Sequence, residues 1–86
     1  MPIILKKKYG QNFLIDKNIL NKISDLIPSG NLNILEIGPG DGKLTDEIIS
    51  KKPKSLTLVE IDKDLAKELS KKYCKFKIIK LINDDI

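Results

Sequence analysis

The reading of this chain turns on Ile34 to Thr45, "ILEIGPGDGKLT". An apolar run of Ile34, Leu35 and Ile37, broken by the acid Glu36, stops at a turn that holds Gly38, Gly40 and Gly42. A short apolar run bounded by glycine reads as a buried strand. Glycine in the turn supplies positive φ and lets the backbone approach a ligand closely. Asn33 to Ile37 is therefore expected as a strand that ends at Gly38.

Downstream, Lys43 to Lys52 reads as a helix with Leu44, Ile48 and Ile49 inward, stopped by Pro53. "SLTLVE", Ser55 to Glu60, is a second strand rich in β-branched and apolar residues. Lys63 to about Tyr73 carries Leu65, Ala66 and Leu69 at helical spacing, and Phe76 to Ile82 is a third apolar strand. Upstream, Asp16 is the expected N-cap of a helix reaching Ile27, with Ile19, Leu20, Ile23, Leu26 and Ile27 on one face. Pro28, Ser29 and Gly30 stop it. Residues 1–15, a basic leader followed by "YGQNFLI", are too short and irregular to assign an element.

Strands alternating with helices imply an α/β fold with a parallel sheet and right-handed crossovers, half of a doubly wound architecture. The first strand of such a sheet is central, so three strands leave one of its sides open. An open apolar edge invites aggregation. The chain is expected either to pair with another copy or, by preference, to be the front portion of a longer protein, since it stops at Ile86 just after the third strand.

Composition narrows the chemistry. The 86 residues are 41% hydrophobic and 33% charged, the balance of an ordinary soluble domain. A domain of this size buries only about 60–65% of its unfolded surface. No apolar run is long enough to span a bilayer. The leading "MPIILKKKYG" places apolar residues ahead of lysines, the reverse of a secretory signal, so a cytoplasmic location is expected. With no histidine and one cysteine, Cys74, an internal disulfide and His-based triads are excluded and a zinc site is not expected. The net charge of +4 comes from lysines alone, a basic surface compatible with nucleic acid or with simple codon bias.

Ligands in doubly wound sheets bind at the carboxyl ends of the strands, which is where the glycine turn lies. The dinucleotide fingerprint G-x-G-x-x-G would need its third glycine at Lys43, and fails there. The spacing acidic-x-G-x-G-x-G is met by Glu36, Gly38, Gly40 and Gly42. It resembles the first motif of class I methyltransferases that use S-adenosylmethionine, which implies a Rossmann-like class I methyltransferase fold. A carboxylate such as Glu36 suits a ligand that carries an ammonium and a sulfonium. Glu60, closing the second strand, suits both ribose hydroxyls of a nucleoside, in NAD or S-adenosylmethionine alike. Asp62 beside it reads as an exposed strand-end acid or as a helix cap. After the third strand, the resemblance to class I methyltransferases implies a carboxylate, Asp85 or its competitor Asp84, that accepts from the adenine amino group, with Ile86 as the apolar neighbour of the ring.

Four stretches carry a narrower resemblance: "KKKYGQNFLID" at Lys6 to Asp16, "LEIGPGDGKLT" at Leu35 to Thr45, "VEIDKDLA" at Val59 to Ala66 and "NDDI" at Asn83 to Ile86. Together they resemble the N-terminal part of the ribosomal RNA adenine N6-dimethyltransferases, the family that includes the kasugamycin-sensitivity methyltransferase and the eukaryotic dimethyladenosine transferases. The first stretch is narrow to this family and its macrolide-resistance cousins. The resemblance implies that Asn12 and Leu14 contact S-adenosylmethionine from the leader, that Gly38 and Gly40 line it, that Glu60 holds the ribose, and that Asp85 rather than Asp84 meets the adenine. Lys6, Lys7 and Lys8 are then the best phosphate-contact residues, and Phe13 is a core anchor.

The implied reaction is transfer of methyl groups to N6 of two adjacent adenosines in small-subunit ribosomal RNA, by a monomeric enzyme without a metal. The family's Asn-Leu-Pro-Tyr or Asn-Leu-Pro-Phe loop, which holds the splayed-out base, is absent from this chain. Residues 1–86 are thus expected as the N-terminal portion of the methyltransferase domain, inactive alone: leader and helix over 1–30, cofactor-binding strands and helices over 31–86, the catalytic loop and a C-terminal domain absent. The rival readings are a macrolide-resistance methyltransferase of large-subunit RNA, a noncatalytic RNA-binding or ribosome-assembly module, and an NAD-binding fragment.

Overall fold

A computed structural model describes the backbone of residues 2–6 and both backbone and side chains of residues 17–85. In chain order the elements are β1 (Pro2–Lys6), α1 (Lys17–Leu26), β2 (Asn33–Ile37), α2 (Lys43–Ser50), β3 (Ser55–Val59), α3 (Lys63–Lys72) and β4 (Ile79–Ile82). The four strands form one parallel sheet in the order β1-β2-β3-β4. The expected Rossmann-like α/β fold is what forms.

Strand register sets the two faces. Ile34 lies beside Leu56 and then Ile79, and Glu36 beside Leu58 and then Leu81. Alternation along each strand puts these residues on one face. Leu44 and Ile48 of α2, Leu69 of α3 and Leu20 of α1 pack there with Ile34, Leu56, Leu58 and Tyr73, so the helices cover that face. Leu56, Leu58 and Ile48 are fully buried at 0% exposure. At about 25 cal/mol per Å² of apolar surface, such side chains contribute about 1.5–3 kcal/mol each.

Three expectations change. The leader contains a strand after all, with Pro2 to Lys6 running parallel to Asn33 to Ile37. Five residues are too few for periodicity to separate strand from loop, and Pro2 sits at the first position, where proline is tolerated. The side of β2 expected to stay open is therefore paired within the chain. In α1, Leu26 is 82% exposed and Ile19 44%, while Ser24 is buried with Leu20 and Ile27. The inward face is narrower than the apolar pattern, following Leu20, Ser24 and Ile27 at steps of one turn. The N-cap expected at Asp16 lies outside the described residues. Finally, β4 begins at Ile79 rather than Phe76, because turn hydrogen bonds from Phe76 N–H to the Tyr73 carbonyl (3.0 Å) and from Ile79 N–H to the Phe76 carbonyl (3.1 Å) engage that backbone first.

Candidate functional site

β2 runs directly into the glycine turn. Gly38, Gly40 and Gly42 take φ values of 72°, 63° and 89°, the left-handed region that glycine enters without strain. Each of the three amides is engaged inside the protein. Gly38 N–H donates to the Val59 carbonyl at 2.8 Å, Gly42 N–H to the Pro39 carbonyl at 3.0 Å, and Gly40 N–H to Glu60 Oε1 at 3.0 Å. A phosphate cradle works the other way, with such amides aimed at the anion. This turn keeps its glycine amides for itself.

Glu60 is 3% exposed and lies at the end of β3. Its Oε1 accepts from Gly40, and its Oε2 accepts from the Asp62 N–H at 3.0 Å. Each oxygen retains acceptor capacity beyond that bond. The structure thus brings Gly38, Gly40 and Glu60 together at adjacent strand ends. Asp62 resolves as the cap of α3, its Oδ1 accepting from Asp64 N–H at 2.9 Å and Leu65 N–H at 3.0 Å.

The β4 end is joined to the same place. Glu60 N–H donates to the Ile82 carbonyl at 2.9 Å, and Asn83 Nδ2 donates to the carbonyls of Glu60 at 2.8 Å and Ile61 at 3.3 Å. Beyond Asn83, Asp84 and Asp85 are exposed. Asp85 N–H donates to Asp84 Oδ1 at 2.7 Å. Asn12 and Leu14 lie outside the described residues, as do the side chains of Lys6, Lys7 and Lys8.

Glu36 departs from the ligand-facing role its motif position gave it. It is 1% exposed on the helix-covered face, and its Oε1 accepts from the Thr45 hydroxyl at 2.5 Å. That bond ties β2 to the first turn of α2. Thr45, Asn83 and Tyr73 are the organising residues that sequence reasoning missed. Thr45 and Asn83 lie inside quoted motifs without a role assigned to them, and Tyr73 shows as the residue one turn beyond Leu69 on the inward face of α3.

Among the described residues no cluster of histidine, cysteine and acid is arranged for a metal. A cavity of about 260 Å³ lies between α3 and β4, lined mainly by Leu58, Leu69, Tyr73, Phe76, Ile79 and Leu81. It includes no residue of the glycine turn, and it opens to solvent beside the exposed Phe76 and Cys74.

A parallel α/β sheet with a glycine turn and two further acidic strand ends at its carboxyl side is the front of a Rossmann-like methyltransferase fold. The chain superimposes on the solved 23S rRNA methyltransferase ErmE with a TM-score of 0.75 at 36% identity, covering 86% of this chain and 30% of that one. The family profile described as Ribosomal RNA adenine dimethylase matches residues 4–86, and the chain belongs to that family. Among curated relatives, the Ribosomal RNA small subunit methyltransferase A of Pelagibacter ubique is 53% identical over 86 residues, spanning 100% of this chain and 32% of the relative. Its counterparts in Mycoplasmopsis pulmonis and Campylobacter jejuni are 48% and 53% identical over 80 and 70 residues, which make up 31% and 26% of their lengths. The chain spans about a third or less of the curated relatives it matches.

Proposed function

We propose that this chain is the N-terminal, donor-binding portion of a methyltransferase domain that moves methyl groups from S-adenosylmethionine to N6 of two adjacent adenosines in small-subunit ribosomal RNA. The observation that carries the donor reading is the closed hydrogen bonding of the glycine turn. With all three glycine amides engaged, one of them by the buried Glu60 carboxylate, the turn offers no free glycine N–H to a phosphate and suits a ligand without one. S-adenosylmethionine fits that description: it carries no phosphate, its nucleoside offers ribose hydroxyls, and its ammonium and sulfonium suit an acidic site.

In this reading Gly38 and Gly40 line the donor, Glu60 accepts the ribose hydroxyls on its remaining lone pairs, and Asp85 accepts from the adenine amino group. Asp85 is preferred to Asp84 on the register of the family's motif at Asn83 to Ile86. Asn12 and Leu14 complete the methionyl side from the leader. When bound, the donor supplies an electrophilic methyl on sulfur. The protein's part is to hold it in line with the acceptor base, where placement dominates the rate. The partner is ribosomal RNA in the small subunit, the enzyme acts as a monomer in the cytoplasm, and no metal takes part.

The likeness to ErmE favours a second reading, methylation of large-subunit RNA. The higher identity to the small-subunit relatives supports the first. Calorimetry with S-adenosylhomocysteine and with NAD tests the donor: binding of the first without the second supports it, and the reverse overturns it. Labelled methyl transfer by the longest natural polypeptide containing these residues tests the acceptor. Label in small-subunit RNA upholds the proposal, and label in large-subunit RNA replaces it with the second reading.

A further inference from the structure

The two ends of α3 both reach the glycine turn. The start of α3 does so through Glu60 and Asp62, as described above. The end does so through Tyr73, the C-cap residue of α3, which is 5% exposed. The Tyr73 hydroxyl donates to Asp46 Oδ1 at 2.6 Å and lies 3.0 Å from the Gly42 carbonyl, 31 residues away in sequence. Lys72 beside it reaches Asp46 Oδ2 at 3.1 Å and the Asp41 carbonyl at 3.3 Å. Segment 41–46, the exit of the turn and the first turn of α2, is gripped from one direction by two adjacent side chains.

Gly42 bears the mark of this grip. A Cβ built there would fall 2.3 Å from the Tyr73 hydroxyl and 3.2 Å from both Tyr73 Cζ and Lys72 Nζ. The space a side chain would need at the third glycine of the motif is thus taken by Tyr73. The absence of a side chain at Gly42 answers to a packing partner as well as to its φ of 89°. Gly40, two residues earlier, is held by Glu60, so the turn is fixed on both sides of Asp41.

We propose that Tyr73 is a positioning residue of the donor site: its hydroxyl, seated where a Gly42 side chain would lie, fixes the exit of the glycine turn and thereby sets affinity for the donor. This rests on the donor reading of the turn given above. Burial, and then the Asp46 carboxylate, push the Tyr73 pKa well above the ordinary range, so the hydroxyl keeps its proton and remains a donor throughout the neutral range.

The test is a double-mutant comparison in the full chain, using Tyr73→Phe, Gly42→Ala and the pair, with S-adenosylhomocysteine as the probe at a temperature where every variant is folded. Calorimetry gives its Kd, and amide hydrogen exchange without ligand gives the order of Gly42 and Lys43. Tyr73→Phe is expected to weaken binding about 5- to 10-fold and to speed exchange at Gly42 and Lys43 by a similar factor, leaving Leu58 in β3 unchanged. Gly42→Ala is expected to weaken binding by a larger factor in the tyrosine background than in the phenylalanine one, because the contact at the hydroxyl is gone. If Tyr73→Phe lowers Tm alone, with wild-type Kd and exchange, or if Gly42→Ala costs the same factor in both backgrounds, the positioning role is overturned. A wild-type chain that fails to bind the nucleoside overturns the donor reading, and this proposal with it; binding by wild type with an indifferent Tyr73→Phe overturns this proposal alone.

Discussion

The glycine turn and the tail of β4 stand side by side at the carboxyl ends of the strands, yet they are built differently. The turn is pinned from every side, by Glu60 at Gly40, by Val59 at Gly38 and by Tyr73 at Gly42. The tail, among the described residues, is anchored by Asn83 on the carbonyls of Glu60 and Ile61, after which Asp84 and Asp85 are exposed. A buried, fully bonded half gives a ligand fixed geometry, and an open half leaves room for it to enter. In the proposed site the ribose and methionyl groups meet the fixed half and adenine meets the open one.

That contrast predicts unequal responses to substitution. Glu60→Ala removes the acceptor of two backbone amides from a buried position and should cost about 3 kcal/mol in chemical denaturation, with affinity for S-adenosylhomocysteine reduced about 100-fold or more. Wild-type stability in that variant would mean that the turn is held by something other than Glu60. Thr45→Val takes away the hydroxyl bound to the Glu36 carboxylate and should cost about 1.5–3 kcal/mol, with a much smaller change in affinity, since it supports α2 rather than the ligand. Asn83→Ala should cost about 1 kcal/mol and loosen the β4 end, read as faster amide exchange at Asp84 and Asp85.

Asp85→Ala is expected to change stability by less than about 0.5 kcal/mol while weakening nucleoside binding about 5- to 10-fold. Asp84→Ala should leave both alone, and the opposite ranking would transfer the adenine role to Asp84. The smallest effect concerns alkali. The folded-state pKa of Tyr73 is raised above its ordinary value of 10.0, so its contribution is complete below that pH and is lost as pH rises beyond it. Stability measured above pH 10.0 should fall, and Tyr73→Phe should remove part of that fall.

Much of this layout is written locally in the sequence. The three strands and two helices around the glycine turn follow from apolar runs punctuated by Gly38, Pro53 and the Asp62 cap, each of which acts within a few residues of itself. The leader strand is not legible because Pro2 to Lys6 owes its conformation to β2, some thirty residues away. Leu26 misleads for a related reason: an apolar side chain at helical spacing marks a possible inward face, and the width of the real one depends on what packs there. Within the candidate site, the placing of Gly38, Gly40 and Glu60 at neighbouring strand ends is legible from their spacing, while their proposed roles come with the family resemblance. The link from Tyr73 to Gly42 depends on how α3 lies against α2, and the inward turn of Glu36 depends on the Thr45 hydroxyl; neither crossing leaves a local signature.

The most direct measurement is a ¹⁵N amide titration of the chain with S-adenosylhomocysteine and, in parallel, with NAD. The account predicts that the first shifts Gly38, Gly40, Glu60 and Asp85 together and saturably, and that NAD leaves them in place. Equal shifts with NAD, or S-adenosylhomocysteine shifts gathered elsewhere on the molecule, would contradict it.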